Sequence, residues 1–405
     1  MSDGWRNAKL GSFMEFKNGL NADKDAYGHG LKFVNVMDIF RSSELYAEDI
    51  IGSVQTSSKA ASEYSVKYGD ILFNRTSETP EDIACASVYL DDEAITFGGF
   101  VIRGRQTEKV LDPEFCRYVF QTHDVRRETV RRCQGAVRAN IGQQDLAQVA
   151  LRIPPLPEQR KIAEILRTWD EALEKLTALR AAKERRLGAL RAALLFGSLR
   201  PKGLRHNWAP TRLEAVTHEL TKRNGAKGLG RDSVMGVTKA EGVVPMREQT
   251  IAADIIRYKR LPPRAFAYNP MRINVGSIAM NERDEAVLVS PDYVVFACNA
   301  DGLDPDYLDH LRKTSWWAHY INSGGSGSVR QRTYYADLAA LKLPLPDLDE
   351  QKAIAAVLNT AREDLAATER EIEAVTLQKR GLMQKLLTGE WRVATTEKDS
   401  TEAAE

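Results

Sequence analysis

The chain has 405 residues, of which 43% are hydrophobic and 28% charged, enough for two or three domains with cores of their own. This composition excludes a wholly disordered, collagenous or coiled-coil chain. Lys plus Arg is 57 against 56 for Asp plus Glu, a formal net charge of +1, so only local patches can speak for or against a nucleic-acid partner. The four cysteines, Cys85, Cys116, Cys133 and Cys298, are scattered and form no CxxC pair. A disulfide framework or a metal site is therefore not expected. No signal peptide is read at the start, and no apolar run approaches the ~20 residues of a membrane span. The expectation is a soluble, cytoplasmic protein.

In chain order, Ile71-Leu72-Phe73 reads as a strand, followed by a polar tip of Asn74, Arg75, Thr76 and Ser77. Asp112-Pro113-Glu114 opens a helix, with Asp as the cap and Pro in the first turn. Arg126, Arg127, Arg131 and Arg132 place four guanidiniums within two helical turns. The planar fork of Arg suits phosphates and guanine edges, although a solvated helix face is the plainer reading. In the next segment, Gly135 allows close backbone approach to a phosphate while Arg138 and Asn140 supply donors. Pro154 to Pro157 then stop any earlier element, and Glu158-Gln159 open a long helix. Its apolar seam runs through Ile162, Leu166, Trp169, Leu173 and Leu176, is interrupted by Arg180 and Lys183, and resumes at Leu187, Leu190 and Leu194.

The second half offers Lys239, then the tip residues Asn281 and Arg283, chosen for the same donor chemistry in loops after strands. Tyr293-Val294-Val295-Phe296 reads as a strand and Asp304-Pro305-Asp306 as a helix start. A glycine-rich segment follows, carrying Ser326, Ser328, Arg330 and Arg332. The second long helix has its seam at Ile354, Leu358, Leu365 and Ile372, continuing through Val375, Leu382 and Leu386.

These halves are copies. Leu151 to Gln159 is answered by Leu343 to Gln351, 192 positions later (350 − 158), and the displacement holds without a gap from Leu111/Leu303 to Gly197/Gly389. The two starts match loosely, Trp5-x-x-x-Lys9-Leu10 with Trp208-x-x-x-Arg212-Leu213. The fold class expected is therefore α/β (α+β) in two copies, joined by two long helices that pair as an antiparallel coiled coil about a pseudo-twofold axis. A helix of ~40 residues spans about 60 Å. Two such helices would act as a ruler between the domains.

Enzyme chemistry finds little support. The chain has no P-loop, HExxH or Gly-x-Ser-x-Gly sequence, and its six histidines are scattered. Asp112-Pro113-Glu114-Phe115 and Asp304-Pro305-Asp306-Tyr307 lack the second proline of an amino-methyltransferase loop, and helix capping accounts for both. No catalytic residue and no metal or cofactor site is expected in this chain.

A Pro-rich segment ending in Glu-Gln, a long helix, and a closing Leu-Leu-x-Gly (194–197 and 386–389) occur twice. With Pro-Pro-Leu-Pro-Glu-Gln at 154–159 and Lys379 to Gly389, nearly the whole chain resembles the specificity subunits of type I restriction-modification systems. The second copy departs from the pattern with Asp347 and Asp349 in place of prolines. The resemblance implies target-recognition domains at 1–153 and 201–345 and spacer helices at 154–200 and 346–392; the polar composition of 393–405 predicts a disordered tail. Each domain would read one half of an asymmetric bipartite site in double-stranded DNA, the halves lying about one duplex turn, ~34 Å, apart. The helices would set the gap and dock two methyltransferase (M) subunits. S-adenosylmethionine, used for N6-adenine methylation, belongs on those partners, and ATP and Mg2+ on any restriction (R) subunit. Two alternatives are a coiled-coil scaffold for proteins alone and a specificity element of a methyltransferase or phage-defence complex without a restriction subunit.

Overall fold

A computed structural model describes residues 4–135, 138–204, 207–323 and 332–395. The chain divides into two compact units: Met1–Lys175 with Ile372–Glu405, and Leu176–Glu371. Each long helix is thus shared between the units, and each unit has its own core.

In the first unit a five-stranded sheet takes the order Met14–Asn18, Val101–Gln106, Ile71–Asn74, Ala86–Tyr89, Glu44–Leu45. Every neighbour pairs antiparallel except the last, which is parallel. The predicted strand at 71–73 is central and buried on both faces. Ile71 and Phe73 join one cluster with Phe115 and Phe120, while Leu72 joins another with Val34 and Phe97. This is the period-two alternation of a strand between two layers. Helices lie against an antiparallel sheet, so the class is α+β.

The second unit repeats the frame with Thr217–Glu219, Val294–Cys298, Phe266–Tyr268 and Ile278–Met280 in the same order. Registers show where the copies drift. Ile102 faces Phe73 as Val294 faces Tyr268, and Phe73 faces Ala86 as Tyr268 faces Ile278. The displacement is therefore 203 at Trp5/Trp208, 195 at Phe73/Tyr268, and 192 from Ala86/Ile278 onward. In both copies the first strand pairs antiparallel with the strand leading into the long helix: Arg6–Lys9 with Ala150–Ile153, and Ala209–Arg212 with Lys342–Leu345.

The Asp-Pro helix starts form as expected. Asp112 caps Pro113–Val119 by accepting from the Glu114 amide (3.0 Å), and Asp304 caps Pro305–Leu311 by accepting from Tyr307 (3.0 Å). The glutamine of each Glu-Gln pair ties this helix to the long one. Gln159 accepts from the Asp112 amide (2.8 Å) and donates to the Val110 and Pro154 carbonyls. Gln351 does the same with Asp304, Gly302 and Pro346.

The long helices are Leu156–Leu194 and Leu348–Leu387. Within the first unit, Ile162 and Leu166 from the start of one share a core with Leu382, Leu386 and Leu387 from the end of the other. Within the second, Leu187, Leu190 and Leu194 share a core with Ile354, Leu358 and Leu365. The glutamate of each Glu-Gln pair explains the closing Leu-Leu-x-Gly. Glu158 receives Arg392 through Nε (2.8 Å) and Nη2 (2.9 Å), the Trp5 indole (3.0 Å), and the Val393 amide (3.3 Å). Glu350, fully buried, receives Arg200 and the Trp208 indole in the same way. Gly389 and Gly197 both adopt positive φ (71° and 76°), and a Cβ on Gly389 would lie 3.2 Å from the Trp5 ring. A chain reversal under a tryptophan is the reason for glycine there.

Polar residues lock the antiparallel pairing in each unit. Lys183, one of the two seam interruptions, donates to Asp364 (2.7 Å) and to the Thr368 hydroxyl (2.8 Å). In the first unit Lys379 meets Asp170, which also accepts from the Tyr118 hydroxyl at 2.7 Å. The large apolar side chains of the seam are fully buried only toward its ends. Trp169, Leu173, Leu176, Leu365, Ile372 and Val375 are half-buried, as in a two-stranded coil with one face open.

His310 sits fully buried in the second unit, with Nε2 against the Asn359 amide oxygen (2.9 Å) and Nδ1 accepting from Arg191 (3.4 Å). Burial, with Arg191 and Lys313 nearby, pushes its pKa down to about 4 against the opposing pull of Asn359 and Asp309. A depressed folded-state value means that this neutral ring stabilises the fold above the unfolded value near 6.5 and loses its contribution as pH falls toward 4. The denaturation midpoint of the second unit should therefore drop between pH 7 and pH 5. In His310→Gln this part of the pH dependence should vanish; an unchanged dependence would contradict the assignment.

Candidate nucleic-acid interface

In the first unit two predicted segments, far apart in sequence, come together. Thr76–Ser77 pairs antiparallel with Ala139–Asn140, and the Ile141 amide donates to the Arg75 carbonyl at 3.1 Å. Asn140 and Gln134 exchange backbone hydrogen bonds of 2.8 Å, which closes the turn at Gly135. Gly135 has φ 106°, and a Cβ there would meet the Arg138 carbonyl oxygen at 2.2 Å, so only glycine fits. The result is one patch with Arg138 and Asn140 exposed and Arg75, Thr76 and Ser77 half-exposed. Its donors match what phosphates and base edges accept.

The same patch contains a residue that sequence reasoning missed. Phe100 is 66% exposed and its carbonyl accepts from the Arg75 amide at 2.8 Å. It follows Gly98-Gly99, where a Cβ on Gly99 would lie 1.9 Å from the Asn21 side-chain oxygen. A bulky aromatic behind two glycines at the head of a strand was the available signal. An apolar ring in this position can meet a thymine methyl.

Three predicted residues are instead committed to the fold. Asn74 is fully buried and donates to the Thr76 (3.1 Å) and Asp82 (3.0 Å) carbonyls. Asn281 is also fully buried, donating to the Leu261 and Glu285 carbonyls and accepting from the Arg283 amide. Asn74 and Asn281 are also not counterparts of each other in the two copies. Asn74 ends the strand whose counterpart is Phe266–Tyr268, so its equivalent is Asn269, while Asn281 ends the counterpart of Ala86–Tyr89. Arg126 donates to the carbonyls of Glu81 (2.7 Å), Ile83 (2.6 Å) and Ala84 (2.9 Å), and so holds a loop in which Ala84 has φ 47°. Arg126→Ala should destabilise the first unit by about 2 kcal/mol by stripping three carbonyls. Native DNA affinity and salt dependence should survive it; a parallel loss of salt dependence would return Arg126 to the interface.

The other three arginines of helix His123–Arg132 are paired along the helix. Arg127 meets Asp124 (3.0 Å), while Arg131 (2.7 Å) and Arg132 (2.5 Å) share Glu128. Arg127 and Arg131 are about 70% exposed (70% and 72%), and exposed ion pairs are weak enough to exchange for a phosphate. Arg132 is only 26% exposed and grips Glu128 through two nitrogens.

In the second unit the structure brings Lys239 and Arg283 to the walls of one cleft of about 780 Å³. Arg332 is exposed, and its neighbour Thr333 donates to the Pro270 carbonyl at 3.1 Å, as Ile141 does to Arg75. Proline thus stands where the first unit has Arg75. Ser326, Ser328 and Arg330 lie outside the described residues. No helix among the described residues is long and apolar enough to cross a membrane.

Comparison with known proteins agrees with this architecture. The family described as type I restriction modification DNA specificity domain matches residues 2–183. A protein of Methanocaldococcus jannaschii, named provisionally the type I restriction enzyme MjaX specificity subunit, is 24% identical over 416 residues, covering 96% of this chain and 94% of that one. The crystal structure of the type I restriction-modification system S subunit from M. genitalium superposes with a TM-score of 0.55 at 14% identity, covering 95% of this chain and 96% of that one. A structure from work on complex assembly and conformational transition of the type I R-M system gives 0.55 at 17% identity, covering 95% and 97%. With the matched domain in the first half, its frame rebuilt in the second, and a relative of the same kind aligned over 96% of the chain, the chain is similar along nearly its whole length to the specificity subunits of type I restriction-modification systems.

Proposed function

We propose that each unit reads one half of a split, asymmetric DNA site for a methyltransferase complex. The observation that carries this reading is one frame built twice with different donors at its tips. The first unit presents Arg75, Thr76, Ser77, Arg138 and Asn140, with Phe100 beside them. The second has Pro270 in place of Arg75 and offers Arg332. Unlike tips on a common frame call for unlike half-sites. The paired helices set the unread gap and dock two M subunits, which bind S-adenosylmethionine and methylate adenine at N6. In systems that cleave, R subunits using ATP and Mg2+ join them. Affinity comes largely from phosphates and discrimination from a few base edges.

The test is equilibrium binding of the chain, assembled with its M subunits, to duplex DNA across a salt series. The reading predicts affinity falling linearly in log–log form with salt, by about 0.9 for each phosphate neutralised. A scaffold that joins only proteins predicts no salt-sensitive affinity for any duplex.

A further inference from the structure

We propose that the cleft of the second unit is a phosphate site that grips the DNA backbone, and that the first unit has no equivalent. The inference rests on the DNA-reading function above. Five cations face or floor the cleft: Lys239, Arg283, Arg312, Lys313 and Arg362. Among the described residues three carboxylates accompany them, Glu241 and Glu282 in the walls and Asp309 beneath. Asp309 is 1% exposed and already saturated, with Arg312 at 2.5 Å, Lys313 at 2.6 Å and Arg362 at 3.7 Å. Arg362 also meets Glu282 at 2.7 Å. Lys239 and Arg283 are exposed and have no carboxylate partner among the described residues. The surplus is positive and lies in a concavity, where low-dielectric walls strengthen its pull on an anion.

The Trp317 side chain lines the cleft and is 3% exposed, and its indole nitrogen is a buried donor without an acceptor among the described residues. That nitrogen is closed off from solvent, so Trp317 shapes the wall of the cleft and is not itself a contact for a bound anion. Independent features point the same way as the charge surplus. Thr314 and Ser315, at the start of helix Ser315–Ser323, line the same wall and add the positive end of a helix dipole. Lys239 is aimed by its backdrop. Its stem crosses Gly276, where φ is 93° and a Cβ would lie 3.0 Å from the lysine Cγ. The one tryptophan in the lining is too buried to stack a base, so the site favours a backbone phosphate over a free nucleotide.

The first unit does not repeat this chemistry. At the constant displacement of 192, the places of Asp309, Arg312, Lys313 and Arg362 are taken by Arg117, Phe120, Gln121 and Asp170. Arg117 pairs with Glu44 and Glu114, and Asp170 with Lys379 and Tyr118.

The experiment compares wild type and Lys239→Ala/Arg283→Ala, each assembled with M subunits, binding a duplex between about 50 and 200 mM salt. Both side chains are exposed, so the fold should survive, and matching thermal unfolding checks this. The variant should lose about tenfold in affinity for matched and unmatched sequences alike, and its salt slope should fall by about 1–2. Lys239→Arg/Arg283→Lys should retain the wild-type slope. An unchanged slope in the alanine variant overturns the inference while leaving the specificity function intact. A wild-type complex without salt-sensitive binding overturns both. Inorganic phosphate or ATP that raises the melting temperature of wild type but not the variant, with DNA binding equal in the two, would assign the cleft to a free phosphate ligand and overturn the backbone role.

Discussion

Leu166→Asp should abolish cooperative folding of the first unit, at a cost of at least about 4 kcal/mol. Leu166 is fully buried in the cluster where the first long helix meets the end of the second and the sheet domain. A carboxylate there has no partner and leaves a hole in place of the leucine. Leu173→Asp, seven residues on along the same seam, should cost only about 1–2 kcal/mol, because that position is half-buried and open to water. Denaturant unfolding of both variants measures the difference. Equal costs would contradict a seam whose ends are domain cores and whose middle is an open two-stranded coil.

Glu158→Ala should be the next most damaging change, at about 2–4 kcal/mol. It strips the acceptor from Arg392, Trp5 and the Val393 amide at once, and so frees the chain end that follows the second long helix. Arg392 is 40% exposed and can turn to water, which keeps the cost below that of a fully buried pair. The pH dependence has a definite sign. Burial on its own would raise the Glu158 carboxyl, but Arg392, the Val393 amide and Trp5 together hold it below its ordinary 4.5. A depressed carboxyl stabilises above the unfolded value and loses that contribution as pH falls through the folded one. Wild type should therefore lose stability below about pH 4.5 more steeply than Glu158→Gln. Identical acid limbs would show that the pair contributes nothing.

The frame was legible in the sequence because it is written twice. The constant displacement marked the long helices, the Asp-Pro caps and the Glu-Gln and Leu-Leu-x-Gly phrases as one repeated design, and a short run of β-branched and aromatic residues between turn residues marked the strand at 71–73. The role of those phrases was not legible. That Glu158 reaches Arg392 and Glu350 reaches Arg200 depends on antiparallel pairing of segments well over a hundred residues apart. The donor tips were legible only as chemistry. Asn74, Asn281 and Arg126 have the right groups for DNA, but backbone carbonyls take them first, and sequence alone cannot tell a bonded donor from a free one. Phe100 was passed over because an apolar residue near a strand reads as core, whereas here it is exposed.

The central claim is that this chain chooses where a methyltransferase acts. Its most direct test is a genome-wide map of N6-methyladenine with and without this gene, in cells that express the M subunits. The predicted result is loss of methylation at one split, asymmetric motif and at no other. Methylation unchanged at every motif, with the partner subunits present and active, would contradict it.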